Sequence, residues 1–366
     1  MPTAGRTRKE LRALRLRGLR DAEPRIGPQT VHFDVVNACN VRCSTCWHHS
    51  PLLDPARRPA ADWKRKTMSF ATFQGILDDL IALGGLEQII LSGMGEPTLN
   101  NELYRMVAYA HQNGIGVTII TNLLQADLPQ LLDSPGELNW LVSICAASQD
   151  VWEAFHGIAG PAGFDRLLSQ LEVFRRWEVR PKHVHVINAQ NHHELVEMVR
   201  FAQQWPAKRI SFKLASLGHG TQAVALNRVQ KIHLRDHLVP LAQDLAKANN
   251  IPTDLDAFRS QISLDSDRTA PIEEVGCYMG LLYCRITVDR ELLYCCNAGI
   301  RVGEINEQTP FRALWEGPRY RALRARLRRK TFFESCRQCG KYKQNLKWSE
   351  RLRAHCSADR CDGDRR

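Results

Sequence analysis

The chain has no apolar run near the roughly 20 residues that a membrane helix needs. It also lacks the apolar core of a secretory signal, although its N-terminus is basic. Hydroxyl residues are scarce in that segment and Glu10 interrupts it, which argues against a transit peptide. No internal repeat and no low-complexity tract is present, so repeat arrays and disordered scaffolds are excluded as the main architecture. These absences point to a cytoplasmic protein with no membrane partner. What the chain holds in quantity is cysteine, twelve in 366 residues. Without an export signal, that number points to metal or redox use rather than disulfides. A reducing cytoplasm suits such thiols.

The length allows one large domain or two ordinary ones. The formal net charge is +11 and is placed unevenly. Residues 312–366 hold 17 Lys and Arg against 6 Asp and Glu, and residues 1–20 hold 7 against 1. The middle of the chain is therefore mildly acidic. Basic ends read as a nucleic-acid footprint, as solvated helix faces, or as counter-charge to thiolates. The solvated face is the commonest case, so nucleic acid is the least favoured partner. Arg6 to Arg20, with Leu11, Leu14 and Leu19 at near-helical spacing, reads as a solvated N-terminal helix.

The centre alternates strand-like and helix-like segments, the pattern of parallel β/α units in an α/β fold. Candidate strands are 31–36, 88–92, 116–121, 139–145, 183–188 and 209–215. Helical patterns cover 69–84, 100–113, 150–177 and 191–205. Loop 50–66 is long and polar, and placed to cover whatever lies after the first strand. Helical sequence fills 223–249.

Cys39, Cys43 and Cys46 stand in VVNACNVRCSTCW, spaced C-x3-C-x2-C, just after the first strand. Zinc wants four ligands, and His48 or His49 is at hand as a fourth. Alternatively, three thiolates hold a four-iron cluster and leave one iron open. That iron can chelate a small molecule and pass it an electron. Further on stands Gln88-Ile-Ile-Leu-Ser-Gly-Met-Gly-Glu-Pro97. Its glycines permit a close backbone approach that a Cβ would block.

In this order and at this distance, the two segments resemble the signature of the radical SAM superfamily. The resemblance implies a partial (β/α)6 TIM-like barrel with its chemistry at the C-terminal strand ends. It implies a [4Fe-4S] cluster on Cys39, Cys43 and Cys46, whose open iron binds the amino and carboxylate groups of S-adenosylmethionine. Reductive cleavage then yields a 5′-deoxyadenosyl radical that abstracts a substrate hydrogen. Gly93, Gly95 and Glu96 match the family's glycine-rich cofactor segment, although Met94 interrupts the commoner Gly-Gly pair. Thr121 and Asn122 resemble its Thr-Asn turn, and Ser143 its ribose-contacting residue. Val184 to Asn188 would approach the adenine. Each of these polar residues also reads as the cap of a strand end.

A second cysteine set follows: Cys277, Cys284, Cys295, Cys296, Cys336, Cys339, Cys356 and Cys361. The run CYMGLLYCRITVDRELLYCC, then GEINEQTPFRALWEGPRYRALR, then CRQC resembles the SPASM or twitch extension of the same superfamily. That implies one auxiliary [4Fe-4S] cluster on Cys277, Cys295, Cys336 and Cys339. The hairpin turn would be Asp289-Arg290, where the family usually has Asp-Gly, and Trp315 would be the family's tryptophan. Four thiolates saturate a cubane, so such a cluster moves electrons without binding cofactor. A zinc ribbon is the alternative. A second auxiliary cluster on Cys284, Cys356 and Cys361 is the minority reading, because the last two fall in a basic stretch that reads as disordered.

The expected organisation is a basic segment 1–29, a radical SAM core 30–250, a linker 251–270, a cysteine-rich SPASM/twitch-like domain 271–345 and a basic tail 346–366. Cys145, read at the end of the fourth strand, is the candidate thiol for returning a hydrogen atom to a substrate radical. A small buried apolar role is the plainer reading. His185, His192, His193 and His219 lie near strand ends as candidate bases. Asn191 with Glu194 three residues later reads instead as a helix cap. The expected activity is oxidation or epimerisation of a small polar substrate such as a sugar or aminocyclitol. An electron donor such as flavodoxin or ferredoxin would be required. A ribosomal-peptide maturase is the alternative, weakened because only about thirty residues precede the first strand. A nucleic-acid-modifying protein and a purely structural iron–sulfur scaffold come last.

Overall fold

The computed structural model describes residues 7–363 except 159, 161, 206, 267, 297 and 298; side chains of residues 8 and 356–363 are outside the description. Six strands form the barrel sheet: β1 (Thr30–Asp34), β2 (Gln88–Ser92), β3 (Gly116–Thr121), β4 (Leu138–Ser143), β5 (Lys182–Ile187) and β6 (Arg209–Leu214). Three more come from the C-terminal region: β7 (Tyr283–Ile286), β8 (Glu291–Leu293) and β9 (Arg301–Glu304). All nine make one sheet in the order β6-β5-β4-β3-β2-β1-β7-β8-β9. The first six are mutually parallel, β7 joins β1 in parallel, and β8 and β9 close an antiparallel meander.

Strand residues alternate between two faces. Val31, Phe33, Ile89, Leu91, Val117, Ile119, Trp140 and Val142 pack outward against Phe73, Leu77, Leu80, Met106, Val107, Leu171 and Phe174 of the helical layer. The opposite face, carrying His32, Asp34, Ser92, Thr118 and Ser143, lines the lumen. The helix Phe70–Leu83 starts at Ser69, whose side chain accepts from the Thr72 amide. The same core runs on through Cys284, Ile286, Tyr294, Phe311, Trp315 and Tyr320, so barrel and C-terminal region share one interior.

Several expected boundaries shift. β1 ends at Asp34 because Val36 leaves the sheet to bridge Thr67. β4 ends at Ser143, two residues before Cys145, whose φ of +59° turns the chain out of the strand. The stretch 150–177 is two helices, Gln149–His156 and Ala162–Arg176. Gly157, at φ +65°, caps the first; a Cβ there would lie 2.6 Å from the Arg42 carbonyl oxygen. Segment 251–270 is packed rather than linking. The Ile210 amide donates to the Pro252 carbonyl at 2.9 Å, and Asp254 accepts from the Phe212 amide at 2.8 Å.

The two basic ends are docked rather than solvated. The helix Arg8–Asp21 opens with a Thr7–Glu10 capping box and buries Leu16 and Leu19. These pack with Met279, Leu282, Tyr283, Trp348 and Leu352 beneath the barrel. Arg15 pairs with Glu87 and donates to the Gly85 carbonyl at the entrance of β2. The last helix, Tyr342–Gly363, runs through the stretch that composition marked as disordered. Trp348 and Leu352 supply the apolar contacts that hold it. No described helix is long and apolar enough to cross a membrane.

Candidate functional site

The loop after β1 is fixed by a web of polar contacts from the ends of β2 and β3. The Gly95 amide donates to the Val36 carbonyl at 3.2 Å, and the Glu96 amide to that of Ala38 at 2.8 Å. A Cβ on Gly95 would lie 1.9 Å from the Ala38 oxygen, and one on Gly93 2.3 Å from that of Val36. The glycines thus admit the cysteine loop's own backbone, a partner that sequence alone did not name. Glu96, 3% exposed, gathers the next two sequence candidates. It accepts from the Thr121 hydroxyl at 2.6 Å and from the Asn122 amide at 2.8 Å. Burial pushes its carboxyl up, while those hydrogen bonds pull it back. Asn122 Nδ2 then donates to Asn40 Oδ1 at 2.8 Å, inside the cysteine loop. Gly93, Gly95, Glu96, Thr121 and Asn122 are therefore one cradle.

Cys39, Cys43 and Cys46 are half-buried and lie close enough for their charges to interact. Burial pushes Cys39 up to about 12, Cys43 well above its ordinary value, and Cys46 upward. Such thiols give up their protons only to a bound cation. The Cys46 sulfur accepts from the amides of His48 at 3.5 Å and His49 at 3.3 Å. The zinc alternative fares badly. His49 Nε2 is hydrogen-bonded to the Asn37 carbonyl at 2.9 Å, and the His48 ring lies 5.1 Å from that of Trp63. Among the described residues, no three Cys, His, Asp or Glu side chains gather tightly enough for a single ion, as zinc–sulfur bonds of about 2.3 Å require. Three thiols set too widely for a single ion suit the larger cubane. Trp63 also covers the loop from segment 50–66, as its length suggested.

Ser143 and Cys145 lie together, Oγ and Sγ 3.3 Å apart. Cys145 is fully buried, with its sulfur accepting from the Val186 amide at 3.5 Å, and burial pushes its thiol up to about 11. It faces the β5 backbone rather than open lumen, contrary to the position expected for a hydrogen donor. The capping role expected of Asn191 and Glu194 is also absent. Asn191 Nδ2 donates to the carbonyls of Cys145 and Val186 at 2.7 and 2.9 Å. Glu194 accepts from the Ala147 amide at 2.7 Å. Both side chains stitch the ends of β4 and β5 together.

None of the four candidate histidines reaches the lumen face. His185 stacks on Phe212, ring centroids 5.3 Å apart, in the outer layer. His192 bonds the Ala189 carbonyl, His193 packs against His192, and His219 is exposed on a turn. The lumen histidine is His32, overlooked in the sequence. The alternation Val31-His32-Phe33-Asp34 was the signal that placed it.

The second cysteine set meets in a cavity lined by Cys277, Cys295, Cys296, Cys336 and Cys339. All four expected ligands are there, with Cys296 as a fifth thiol. Burial pushes Cys277 up to about 12 and Cys339 well above its usual value. Cys284 is elsewhere, wholly buried in the barrel core. Cys356 and Cys361 lie on the last helix with side chains outside the description. The hairpin turn falls at Asp289-Arg290, with Arg290 at φ +62°, the conformation a glycine would hold freely. Trp315 is fully buried; Arg324 lies over its ring at 4.4 Å and over Tyr320 at 4.0 Å. Part of the C-terminal positive charge is thus consumed inside the fold.

The cavity adjoins the lumen. Arg285 Nε donates to both oxygens of Asp34, at 3.0 and 2.9 Å, and its Nη1 to the Cys296 carbonyl at 3.1 Å. Burial pushes the Asp34 carboxyl up, and the neighbouring guanidinium works against that shift. Lys341, two residues past Cys339, lies with Nζ 3.9 Å from the centre of the Tyr283 ring.

Residues 34–202 match the family model of the radical SAM superfamily, and residues 277–340 match that of SPASM, an iron–sulfur cluster-binding domain. The sequence is 24% identical over 223 residues to Fe-coproporphyrin III synthase of Methanosarcina barkeri, covering 60% of this chain and 51% of that protein. The match thus spans about half the length of that relative. The fold is similar to SuiB of Streptococcus suis bound to precursor peptide SuiA, with TM-score 0.63 and 18% identity over 91% of this chain and 73% of that one. It is also similar to anSMEcpe with bound AdoMet, with TM-score 0.64 and 14% identity over 89% and 97%. At these identities the two likenesses are of fold.

Proposed function

The chain belongs to the radical SAM superfamily and carries a SPASM domain behind its barrel, and from that premise we propose that it oxidises a small polar substrate held in the barrel lumen. The radical SAM domain implies a [4Fe-4S] cluster and S-adenosylmethionine, and the SPASM domain implies auxiliary iron–sulfur clusters. When bound, these groups supply the electron that cleaves the cofactor to a 5′-deoxyadenosyl radical and the acceptor for an electron from substrate. Cys39, Cys43 and Cys46 would hold the first cluster, and Cys277, Cys295, Cys336 and Cys339 the second. Glu96, Thr121 and Asn122 hold the loop that carries the first set. Asp34 and Arg285 form the wall between the lumen and the second set.

The observation that carries the reading is that wall: a single buried ion pair joins the lumen face of β1 to the backbone of Cys296. An electron leaving a substrate in the lumen has an acceptor site next door. Oxidation is favoured over epimerisation because the Cys145 sulfur is turned to the β5 backbone, where it accepts from the Val186 amide.

A peptide substrate is the second reading. It draws on the fold likeness to SuiB, which binds a precursor peptide. A tetrapyrrole is the third, drawn from the name of the Methanosarcina relative.

Anaerobic reconstitution with iron and sulfide, then addition of S-adenosylmethionine and a strong reductant, tests the proposal. Iron-loaded protein should form 5′-deoxyadenosine, and Cys43→Ala should form none. An iron-loaded wild type that stays silent with polyols, peptides and iron coproporphyrin alike would sink it.

A further inference from the structure

The lumen carries more positive charge than its own carboxylate cancels. Tyr283 and Arg285 on β7 share the lumen face with His32 and Asp34 on β1. Lys213 lies on the same face of β6, between the outward-packed Phe212 and Leu214. Asp34 is committed to Arg285. Lys341 borders the auxiliary cavity, where deprotonated cluster thiolates would offset it. Lys213 is left: it is exposed, and no carboxylate among the described residues pairs with it.

An independent observation comes from His32. It is 8% exposed, its Nδ1 lies 3.0 Å from the Tyr283 hydroxyl, and its Nε2 has no hydrogen-bond partner. Burial keeps Tyr283 a phenol, so its O–H donates to Nδ1. Burial, with Arg285, Lys341 and Lys213 nearby, holds the imidazole neutral. The ring's one proton then sits on Nε2, aimed at no acceptor. The nearest carboxylate oxygen, on Asp34, is 3.6 Å away and already bonded to Arg285. A buried donor left open in this way asks for an acceptor from outside the chain.

We propose that the substrate is an acid, and that one of its carboxylates is seated between Lys213 and the Nε2–H of His32. The inference deepens the reading of the lumen as the substrate site and rests on it. A carboxylate accepts from the imidazole and pairs with the ammonium at once. An aminocyclitol, which the sequence suggested, would bring ammonium groups against Lys213, Lys341 and Arg285. The same carboxylate chemistry comes from a free organic acid or from a glutamate side chain in a peptide.

Equilibrium dialysis tests this on the full chain with its clusters loaded and S-adenosylmethionine saturating, so that the open iron offers no second carboxylate seat. The probes are labelled glutarate, its neutral diamide glutaramide, and acetyl-Glu-Glu-amide. At least one of the two acids should bind saturably while glutaramide does not. The dissociation constant should rise at least about tenfold in Lys213→Met and in His32→Phe, and change little in Lys213→Arg. Binding of glutarate identifies a small acid as the source; binding of the peptide alone identifies a peptide. Iron content and melting temperature equal to wild type confirm that each variant is folded. The proposal is overturned if neither acid binds, if glutaramide binds as well as glutarate, or if Lys213→Met binds like wild type. No cofactor cleavage is needed for this readout. Bound glutarate together with silence in the cleavage assay above would leave the seat standing and remove the proposed oxidation; cleavage without acid binding would do the opposite.

Discussion

The two cysteine sites are built on opposite plans. The first is a single loop, Cys39 to Cys46, suspended after β1 and held by backbone and polar side chains borrowed from β2, β3 and the helix ending at His156. The second has no loop of its own. Its thiols come from three separated segments and are pressed together by an aromatic core of Phe311, Trp315, Tyr294 and Tyr320. In the first site rigidity is supplied by hydrogen bonds, and in the second by packing. The structural cost of the first plan falls on Gly93, Gly95, Glu96 and Asn122, which hold the loop by its backbone.

Removal of one thiol from each site gives the largest contrast. Cys43→Ala and Cys277→Ala should each lower the iron content from about eight per chain to about four. Only the first should also abolish cofactor cleavage without added substrate. Equal loss of cleavage in both variants would mean that the two sites cannot be separated.

Gly95→Ala should come next. Its Cβ has nowhere to go but into the Ala38 carbonyl, so a cost of about 3 kcal/mol is expected, concentrated on the first loop. Mössbauer or iron analysis should show the first cluster lost and the second retained. Uniform loss would refute the idea that the glycines serve the loop.

Acid should discriminate between the sites more gently. His156 is wholly buried behind the first loop, where its carbonyl accepts from the Arg42 amide at 2.9 Å. Burial lowers its pKa to about 4. The unfolded chain takes up that proton below about 6.5, so the contribution is complete above 6.5 and falls as the pH drops towards 4. By pH 5 the loss is about 2 kcal/mol. Urea midpoints at pH 7 and pH 5, with His156→Phe as the control, should show it. A control that loses as much as wild type would assign the effect elsewhere.

The smallest effect belongs to the second site's hairpin. Arg290→Gly relieves a left-handed residue and should stabilise the protein by up to about 1 kcal/mol, read as a higher melting temperature. Its exposed pair with Glu304 is worth little against that gain. A lower melting temperature would show that the arginine holds the turn.

Legibility in the sequence followed chain distance. The first site is local: three cysteines in eight residues, a glycine segment and a Thr-Asn turn each at a strand end, so short spacing and the family resemblance together exposed them. The six barrel strands were legible because each is a short apolar run. What escaped was set by packing between distant segments. His32 needed the pairing of β1 with β7 to acquire Tyr283 and Arg285 as neighbours. Asn191 and Glu194 satisfy a helix-cap pattern, yet their side chains serve the β4 turn. The charged ends looked solvated because their few apolar residues, Leu16, Leu19, Trp348 and Leu352, are spread over two helices at opposite ends of the chain.

Those two helices have a consequence for biosynthesis. The floor under Tyr283 is laid by the helix Arg8–Asp21 and by Tyr342–Gly363, with the whole barrel translated between them. All six barrel strands, and the first cysteine loop with them, leave the exit tunnel while half of that floor is still untranslated. A nascent chain therefore exposes Ile90, Ile120 and Tyr283 from below until the helix Tyr342–Gly363 emerges. Iron that arrives before that helix docks meets a barrel whose base is still open.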